Sequence, residues 1–202
     1  MGALLAPAPF SASQNKSKSV LISASAGGVG LWAVQLAKLA GVGRVVGTCG
    51  PANVEFVKGL GADQVVDYTN VPDLWEWINR QERFDLVLDC VGGRTVEEAW
   101  LCVKDSGVLI SIVQPPENKK PQTSVADGVR GTFFIVEANG GQLEQITRLI
   151  ELGKCRAVID SVFSLEQFEE AFRKVQGGHV RGKVVLSIAS WRENLSWSCG
   201  YK

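Results

Sequence analysis

Short runs of consecutive apolar residues alternate along the chain with longer segments in which apolar residues recur every three or four positions. The first stretch, residues 19–24 with the apolar run Val20-Leu21-Ile22, predicts a buried strand. The segment after it places Ala33, Leu36 and Ala40 on one face of a helix. This alternation is typical of parallel strands that helices cover on both faces, since such strands are apolar along their whole length. We therefore predict an α/β fold built on a doubly wound parallel sheet.

Further elements follow in the same alternation, each bounded by glycine, proline or polar residues. Capping-box patterns at 95–98 and 164–167 mark two helix starts, and Leu143, Ile146 and Ile150 are expected to face the interior. The predicted strands are 44–48, 64–67, 84–89, 107–113, 132–136, 156–163 and 183–188, and the predicted helices are 53–60, 72–79, 95–103, 142–152 and 165–175.

These elements divide the chain into four segments. Residues 1–17 contain prolines and serines and are interpreted as a linker or the remnant of a preceding domain. Residues 18–136 form the α/β core, and residues 137–188 add closing helices and strands to the same unit. Residues 189–202 form an irregular tail without periodicity.

Composition excludes several classes of partner. The 202 residues include 21 basic and 21 acidic side chains, so we expect no nucleic acid. No apolar run approaches the ~20 residues that span a bilayer, so we expect no membrane. The five cysteines are dispersed, and His179 is the only histidine, so no ligand cluster for zinc is expected. Dispersed cysteines and the lack of a basic, signal-like start predict a cytoplasmic location.

The turn between the first strand and the first helix has the form AxxGxxG, from Ala24 to Gly30. A helix N-terminus at the carboxyl end of a parallel strand binds an anion, because its unpaired N–H groups and its dipole point there. We expect the diphosphate of a nicotinamide dinucleotide. A tight turn without a ligand is the alternative. The residues expected to contact the diphosphate are Ala26, Gly27, Gly28, Val29 and Gly30.

The end of the second strand bears on the type of nicotinamide cofactor. Sites selective for NAD place an acidic residue there to bind the ribose hydroxyls, but no acid precedes Glu55. The absence of the acid favours NADP over NAD, although the first basic residue, Lys58, lies on the helix. We expect Gly50 to line this part of the site and the Tyr68 hydroxyl to contact the 2′-phosphate. A half-exposed tyrosine that only packs is an equal alternative.

The fourth and fifth strands end in residues that suit the ribose and nicotinamide. In an open parallel sheet the ligand lies across the carboxyl ends of the strands. We therefore predict Val91, Gly92 and Ile112 as walls, with ordinary strand ends as the alternative. Lys183 could approach a phosphate or remain solvated. No catalytic residue is assigned, and His179, in a glycine-rich loop, is expected to be a surface residue.

Several longer motifs resemble the medium-chain dehydrogenase/reductase superfamily, above all its zinc-free quinone oxidoreductase and enoyl reductase branch. The resemblance runs from residue 19 to residue 188. It is carried by Ser25-Ala26-Gly27-Gly28-Val29-Gly30, Gly59-Leu60-Gly61-Ala62-Asp63, Asp89-Cys90-Val91-Gly92, Leu149-Ile150-Glu151-Leu152-Gly153-Lys154 and Gly182-Lys183-Val184-Val185-Leu186.

This resemblance implies a Rossmann-type fold and hydride transfer from NADPH to a quinone or an activated C=C bond. Members of the superfamily also have an N-terminal GroES-like catalytic domain, which is expected to be largely absent here. They often place Ser and Lys or Arg at the positions of Gly50 and Ala52, where this chain has neither. The edge strand near Phe134 is expected to pair with its copy in a homodimer.

Two hypotheses remain open at this point. The chain is either an NADPH-dependent oxidoreductase present as its cofactor-binding part, or a catalytically inactive dinucleotide-binding module or truncated gene product.

Overall fold

A six-stranded parallel sheet forms the centre of the computed structural model, which describes residues 12–71, 76–77 and 82–188. The strand order β3-β2-β1-β4-β5-β6 confirms the predicted doubly wound, Rossmann-type α/β fold. The strands are β1 (Ser19–Ile22), β2 (Arg44–Cys49), β3 (Gln64–Asp67), β4 (Phe84–Asp89), β5 (Val103–Ser111), β6 (Arg130–Phe133), β7 (Ile159–Ser164) and β8 (Lys183–Ser187). The helices are α1 (Ala12–Asn15), α2 (Gly30–Leu39), α3 (Val54–Gly59), α4 (Arg94–Leu101), α5 (Gly140–Glu151) and α6 (Phe168–Gln176), with 3₁₀ turns at Pro51–Asn53, Pro116–Lys119 and Leu165–Gln167.

Two apolar layers hold the sheet, one on each face. Side chains alternate between the faces of a strand, so Val20 and Ile22 of β1 pack under α2 and α3, while Leu21 packs on the opposite side with Trp100 of α4. Trp100 is fully buried, and its indole N–H donates to the Pro116 carbonyl at 3.0 Å. This burial from both sides explains why three of the four residues of β1, Val20, Leu21 and Ile22, are apolar.

Helix α2 is buried on more than its sheet face. Gln35, also buried, donates to the Arg156 carbonyl at 3.2 Å and accepts from the Arg156 amide at 2.8 Å. These two hydrogen bonds hold the chain segment before β7 against α2.

Strands β7 and β8 form a separate two-stranded parallel sheet. It touches the main sheet at the glycine turn, where the Gly182 amide donates to the Ala26 carbonyl at 2.9 Å. Large apolar side chains remain exposed on this sheet and on α6, among them Ile159, Val162 and Phe172.

Of the two predicted helix capping boxes, one is confirmed and one is wrong. Ser164 and Gln167 form the predicted capping box before the turn that leads into α6. The box at Thr95 and Glu98 is wrong: α4 begins one residue earlier, at Arg94, after Gly93 with φ +59° and no side-chain cap. Glu98 instead accepts from Arg94 Nε at 2.6 Å.

The predicted inward face of α5 is also wrong. Leu143 is 65% exposed and Ile150 is 40% exposed, and no residue of α5 is buried. The amphipathic pattern is present, but none of the described elements covers that face of the helix. Strand β6 also ends at Phe133 rather than Val136.

Some expectations fall outside the described residues. These are the tail 189–202, the first eleven residues of the predicted linker, and all but two residues of the predicted helix 72–79. The division into four segments stays a prediction. Within the described ranges, none of the helices combines the length and apolar character that crossing a bilayer requires.

A charged cluster closes the edge of the sheet opposite the strand carboxyl ends. Asp85 of β4 accepts from the Ser19 amide and hydroxyl, both at 2.9 Å, and pairs with Lys18 and Lys104. Partial burial raises the pKa of Asp85, but the hydrogen bonds from Ser19, Lys18 and Lys104 outweigh it and hold the pKa at about 2. Asp85 thus ties together the amino ends of β1, β4 and β5.

We expect this cluster to make stability depend on pH in the acid range. Because the folded-state pKa is depressed, the contribution of Asp85 is present above the unfolded-state pKa near 4 and is lost as pH falls through about 2. Solvent screens the partly exposed group, so we expect about 1 kcal/mol. Urea unfolding of the wild type and Asp85→Asn between pH 7 and pH 2 measures this, and parallel pH profiles of the two proteins would contradict it.

Candidate functional site

The turn between β1 and α2 presents unpaired backbone donors. Gly27 closes the turn by donating its amide to the Ala24 carbonyl at 2.9 Å, and Ala24 adopts φ +47°, the left-handed region that favours glycine. The amides of Gly28, Val29 and Gly30 donate to no acceptor among the described residues. With no side-chain cap on α2, this corner offers three N–H groups to an anion.

Gly30 sets how closely α2 approaches β1. A Cβ at this position would press on the Ala24 carbonyl oxygen and lie 2.7 Å from Ser25 Cα. Only glycine permits this packing, which brings the helix N-terminus down to the end of the strand.

Lys183 supplies a positive charge at the same corner. A Cβ on Gly28 would lie 2.5 Å from Lys183 Nζ, so the ammonium group sits directly over the glycine. The side chain is exposed and makes no hydrogen bond or ion pair with any residue that the structure describes. The first residue of β8 therefore places an unneutralised cation beside the three free amides.

A cleft of about 920 Å³ extends from the glycine turn over the ends of β2 and β3. Of the residues predicted for the site, Ala26, Gly27, Gly50 and Tyr68 line it. Tyr68 is 49% exposed, and its hydroxyl lies 3.0 Å from where a Cβ of Gly50 would be. The opposite wall comes from residues 156–160 and 178–181.

The sequence has no basic residue at the end of β2, but the fold brings Arg181 to this place. Its Nε donates to Asn53 Oδ1 at 2.8 Å, and one Nη donates to the Ala52 carbonyl at 3.0 Å. The guanidinium also stacks on Phe56, 4.8 Å from the ring centroid. These contacts use two of its five N–H donors and fix a cation at the rim of the cleft.

Asp160 anchors the segment that carries Arg181. It accepts from the Arg181 amide at 3.1 Å and forms an ion pair with Lys174. The hydrogen bond from Lys174 lowers the pKa of Asp160, so the carboxylate is ionised and holds the segment at neutral pH.

The remaining predicted residues lie at the neighbouring strand ends. Val91 is 51% exposed after β4, Gly92 is buried beside it with φ +79°, and Ile112 is half-buried after β5. Because the strand order is β3-β2-β1-β4-β5, the residues that follow these strands lie in sequence along one edge of the sheet: Tyr68, Gly50, the glycine turn, Val91 and Ile112. Five adjacent strands at about 4.8 Å spacing span roughly 19 Å, which suits an extended ligand.

The nearby cysteines and histidine add no reactive group. Burial, followed by the charge of Asp67, raises the pKa of Cys49 to about 11, and burial with the charge of Asp89 raises that of Cys90 to about 12. Both thiols therefore stay protonated at neutral pH. His179 lies in the cleft wall as an exposed residue, with Nδ1 close to the Gly177 carbonyl.

No local pattern in the sequence predicts that Arg181 and residues 156–160 line the cleft. Arg181 lies 128 residues from Asn53, and no local pattern joins the two. Its position two residues before Lys183, in the loop that also holds His179, was the available signal.

Free amides at the first strand end and a cleft over the neighbouring strand ends form the arrangement in which α/β proteins of the doubly wound class hold a dinucleotide. The chain belongs to the zinc-binding dehydrogenase family of the medium-chain dehydrogenase/reductase superfamily, since the family model described as "Zinc-binding dehydrogenase" matches residues 60–186. Within the described residues, no group of three or more His, Cys, Asp or Glu side chains could hold a metal ion, so they do not fit a zinc site.

Similar proteins include "Probable zinc-binding oxidoreductase, mitochondrial" of Arthroderma benhamiae, 47% identical over 174 residues that cover 86% of this chain and 53% of that protein. "NAD(P)H oxidoreductase RTN4IP1, mitochondrial" of Danio rerio is 35% identical, covering 85% and 49% of the two chains. A solved quinone oxidoreductase from Coxiella burnetii superposes with a TM-score of 0.75 at 29% identity, covering 93% of this chain and 60% of that one. The chain thus spans about half the length of the relatives it matches.

Proposed function

We propose that this chain is the cofactor-binding part of an NADPH-dependent oxidoreductase that reduces quinones or activated C=C bonds. The observation that carries the proposal is the corner where three unpaired amides meet the ammonium group of Lys183. Hydrogen bonds from N–H groups to a charged phosphate are roughly twice as strong as neutral ones, and a lysine adds a point charge. Gly28, Val29, Gly30 and Lys183 would hold the diphosphate.

The preference for NADP over NAD is part of this proposal. Arg181 and Tyr68 both face the cleft beside the loop that follows β2, where a 2′-phosphate would lie. The 48–53 loop carries no acid that would bind a free ribose hydroxyl or repel the phosphate. Arg181 thus takes the part that a basic residue in the loop itself would otherwise play.

The remaining site residues would bind and orient the nicotinamide end of the cofactor. When bound, the nicotinamide supplies hydride transfer, which is chemistry of the cofactor itself. Val91, Gly92 and Ile112 would wall the ribose and nicotinamide. Support for the substrate class comes from relatives named quinone oxidoreductase, such as "Quinone-oxidoreductase QR1, chloroplastic" of Triphysaria versicolor.

The test is a pair of titrations with NADPH and NADH. We expect NADPH to bind at least about tenfold more tightly, because one charge-assisted hydrogen bond to the 2′-phosphate contributes about 1.5–3 kcal/mol. Arg181→Met should remove most of this preference without changing the NADH affinity. Arg173→Met, at an exposed position on α6, is the control that removes an equal charge. Equal affinities for the two cofactors in the wild type would refute the preference for NADP.

The second candidate is a dinucleotide-binding module without activity of its own. It is favoured by the uncovered apolar side chains of β7 and α6, where Val162 is 61% and Phe172 is 60% exposed. NADPH oxidation with a panel of quinones and enones separates the two candidates. Turnover supports the enzyme, whereas binding without turnover supports the module.

Two further expectations belong to the proposal. Strand β6 is the outer strand of the sheet, and the residues after it, Ile135 and Val136, are 67% and 81% exposed. We propose that this edge near Phe134 pairs with a second copy of the chain. Light scattering tests this proposal by measuring the molar mass in solution. We also keep the cytoplasm as the proposed location, to be tested by imaging the tagged protein.

A further inference from the structure

Asp89 is a fully buried carboxylate at the end of β4. It is 0% exposed, and no basic side chain among the described residues pairs with it. Burying a charge without a cation is costly unless several hydrogen bonds stabilise it. An apolar residue of similar size would suffice for packing at a strand end, so the fully buried carboxyl group requires an explanation.

Four donors from three strand ends converge on this carboxylate. Ser23, after β1, donates its hydroxyl at 3.3 Å, and Ser111, the last residue of β5, donates at 2.9 Å. The amides of Val91 and Gly92 donate at 3.2 and 3.1 Å, which folds the chain after β4 back over the strand end. Asp89 thereby fixes the shape of the Val91–Gly92 turn.

The two serines extend the network into the loops. Ser23 Oγ accepts from the Cys90 amide at 2.8 Å, and Ser111 Oγ accepts from the amides of Val113 and Gln114 at 3.3 and 3.4 Å. The Gln114 side chain then accepts from the Gly93 amide at 3.2 Å and joins the loop after β5 to the loop after β4. The two predicted walls of the nicotinamide end, Val91 and Ile112, both lie within this network.

We infer that Asp89 is a positioning residue: through Ser23 and Ser111 it sets the two loops that hold the nicotinamide end of a bound dinucleotide. The inference rests on the proposed function and extends it. The adenosine end depends on a different pair of residues, Arg181 and Tyr68, and neither forms a hydrogen bond with this network. Loss of the network should therefore weaken binding of the whole dinucleotide but not of its adenosine half.

The opposite edge of the sheet provides matched controls. Ser19 donates to Asp85 at 2.9 Å, the same distance and the same pair of residue types as Ser111 and Asp89, but at the amino ends of the strands. The variants are Ser111→Ala and Asp89→Asn, with Ser19→Ala and Asp85→Asn as controls. Ser111→Ala keeps the carboxylate and its amide donors, so the test remains decisive if Asp89→Asn does not fold.

The affinities for NADPH and for 2′,5′-ADP are measured for every variant. We expect Ser111→Ala and Asp89→Asn to weaken NADPH about tenfold and to leave 2′,5′-ADP within twofold, while the controls change neither. Hydrogen exchange should accelerate at residues 91–92 and 113–114 but not at residues 28–30. If Ser111→Ala and Asp89→Asn change the affinities for both nucleotides equally, or change neither affinity, the inference about Asp89 is overturned but the proposed function is not. A wild-type protein that binds neither nucleotide would contradict the proposed function as well.

Discussion

Replacing Gly28 with alanine is expected to weaken NADPH binding at least about a hundredfold while the protein stays folded. The new methyl group would lie 2.5 Å from Lys183 Nζ, in the space above the three free amides. It would displace the ammonium group and keep a phosphate from reaching the corner. Hydrogen bonds to charged groups contribute about 1.5–3 kcal/mol each, so the loss of two corresponds to at least 3 kcal/mol.

The fold should tolerate this change because the clash involves only the flexible end of a lysine side chain. Gly59→Ala is the matched control, since a Cβ there meets nothing within 4 Å. It should leave the affinity unchanged and alter stability by no more than about 1 kcal/mol. The affinity is measured by titrating the nicotinamide fluorescence of NADPH. If a folded Gly28→Ala variant binds within threefold of the wild type, the diphosphate does not lie at this corner.

Replacing Gly30 with alanine is expected to lower the free energy of unfolding by about 3 kcal/mol. Here the methyl group would meet backbone: Ser25 Cα at 2.7 Å, the Ala24 carbonyl carbon at 2.9 Å, and the Ala24 oxygen. Neither residue can rotate away, so α2 must move off the sheet. Seven of its ten residues are buried, and the movement would open the apolar layer beneath it.

For a chain of this length, such a loss corresponds to a fall in melting temperature of roughly 6–12 °C. Urea unfolding of Gly30→Ala gives the free energy directly, and Gly59→Ala again serves as the control. A loss below about 1 kcal/mol would show that the helix does not need this close approach. The contrast between Gly28 and Gly30 separates the two parts that glycine plays in the motif, one for the ligand and one for packing.

Local patterns were sufficient where a residue's neighbours along the chain decide its environment. The apolar sequence of β1 predicted a strand buried on both faces, and Ser164 with Gln167 predicted a cap that the structure contains. The sequence is compatible with either a phosphate contact or solvation for Lys183, and the structure places its ammonium group over Gly28.

The rest depended on contacts between distant parts of the chain. Arg181 reaches Asn53 only because β8 begins beside the glycine turn. Leu143 and Ile150 have the spacing of a buried face, yet periodicity cannot say whether a covering element exists. The pattern of Thr95 and Glu98 predicts a cap at Thr95, but Gly93, with its positive φ, occupies the N-cap position and the helix begins at Arg94.

The bond from the Gly182 amide to the Ala26 carbonyl has a consequence for the order in which the site is completed during synthesis. The six strands of the main sheet are all encoded before residue 134, so a nascent chain can assemble them early. Both cations of the site, Arg181 and Lys183, emerge from the ribosome about fifty residues later. In a growing polypeptide the strands of the main sheet are thus complete well before Arg181 and Lys183, the two cations of the candidate site, are added.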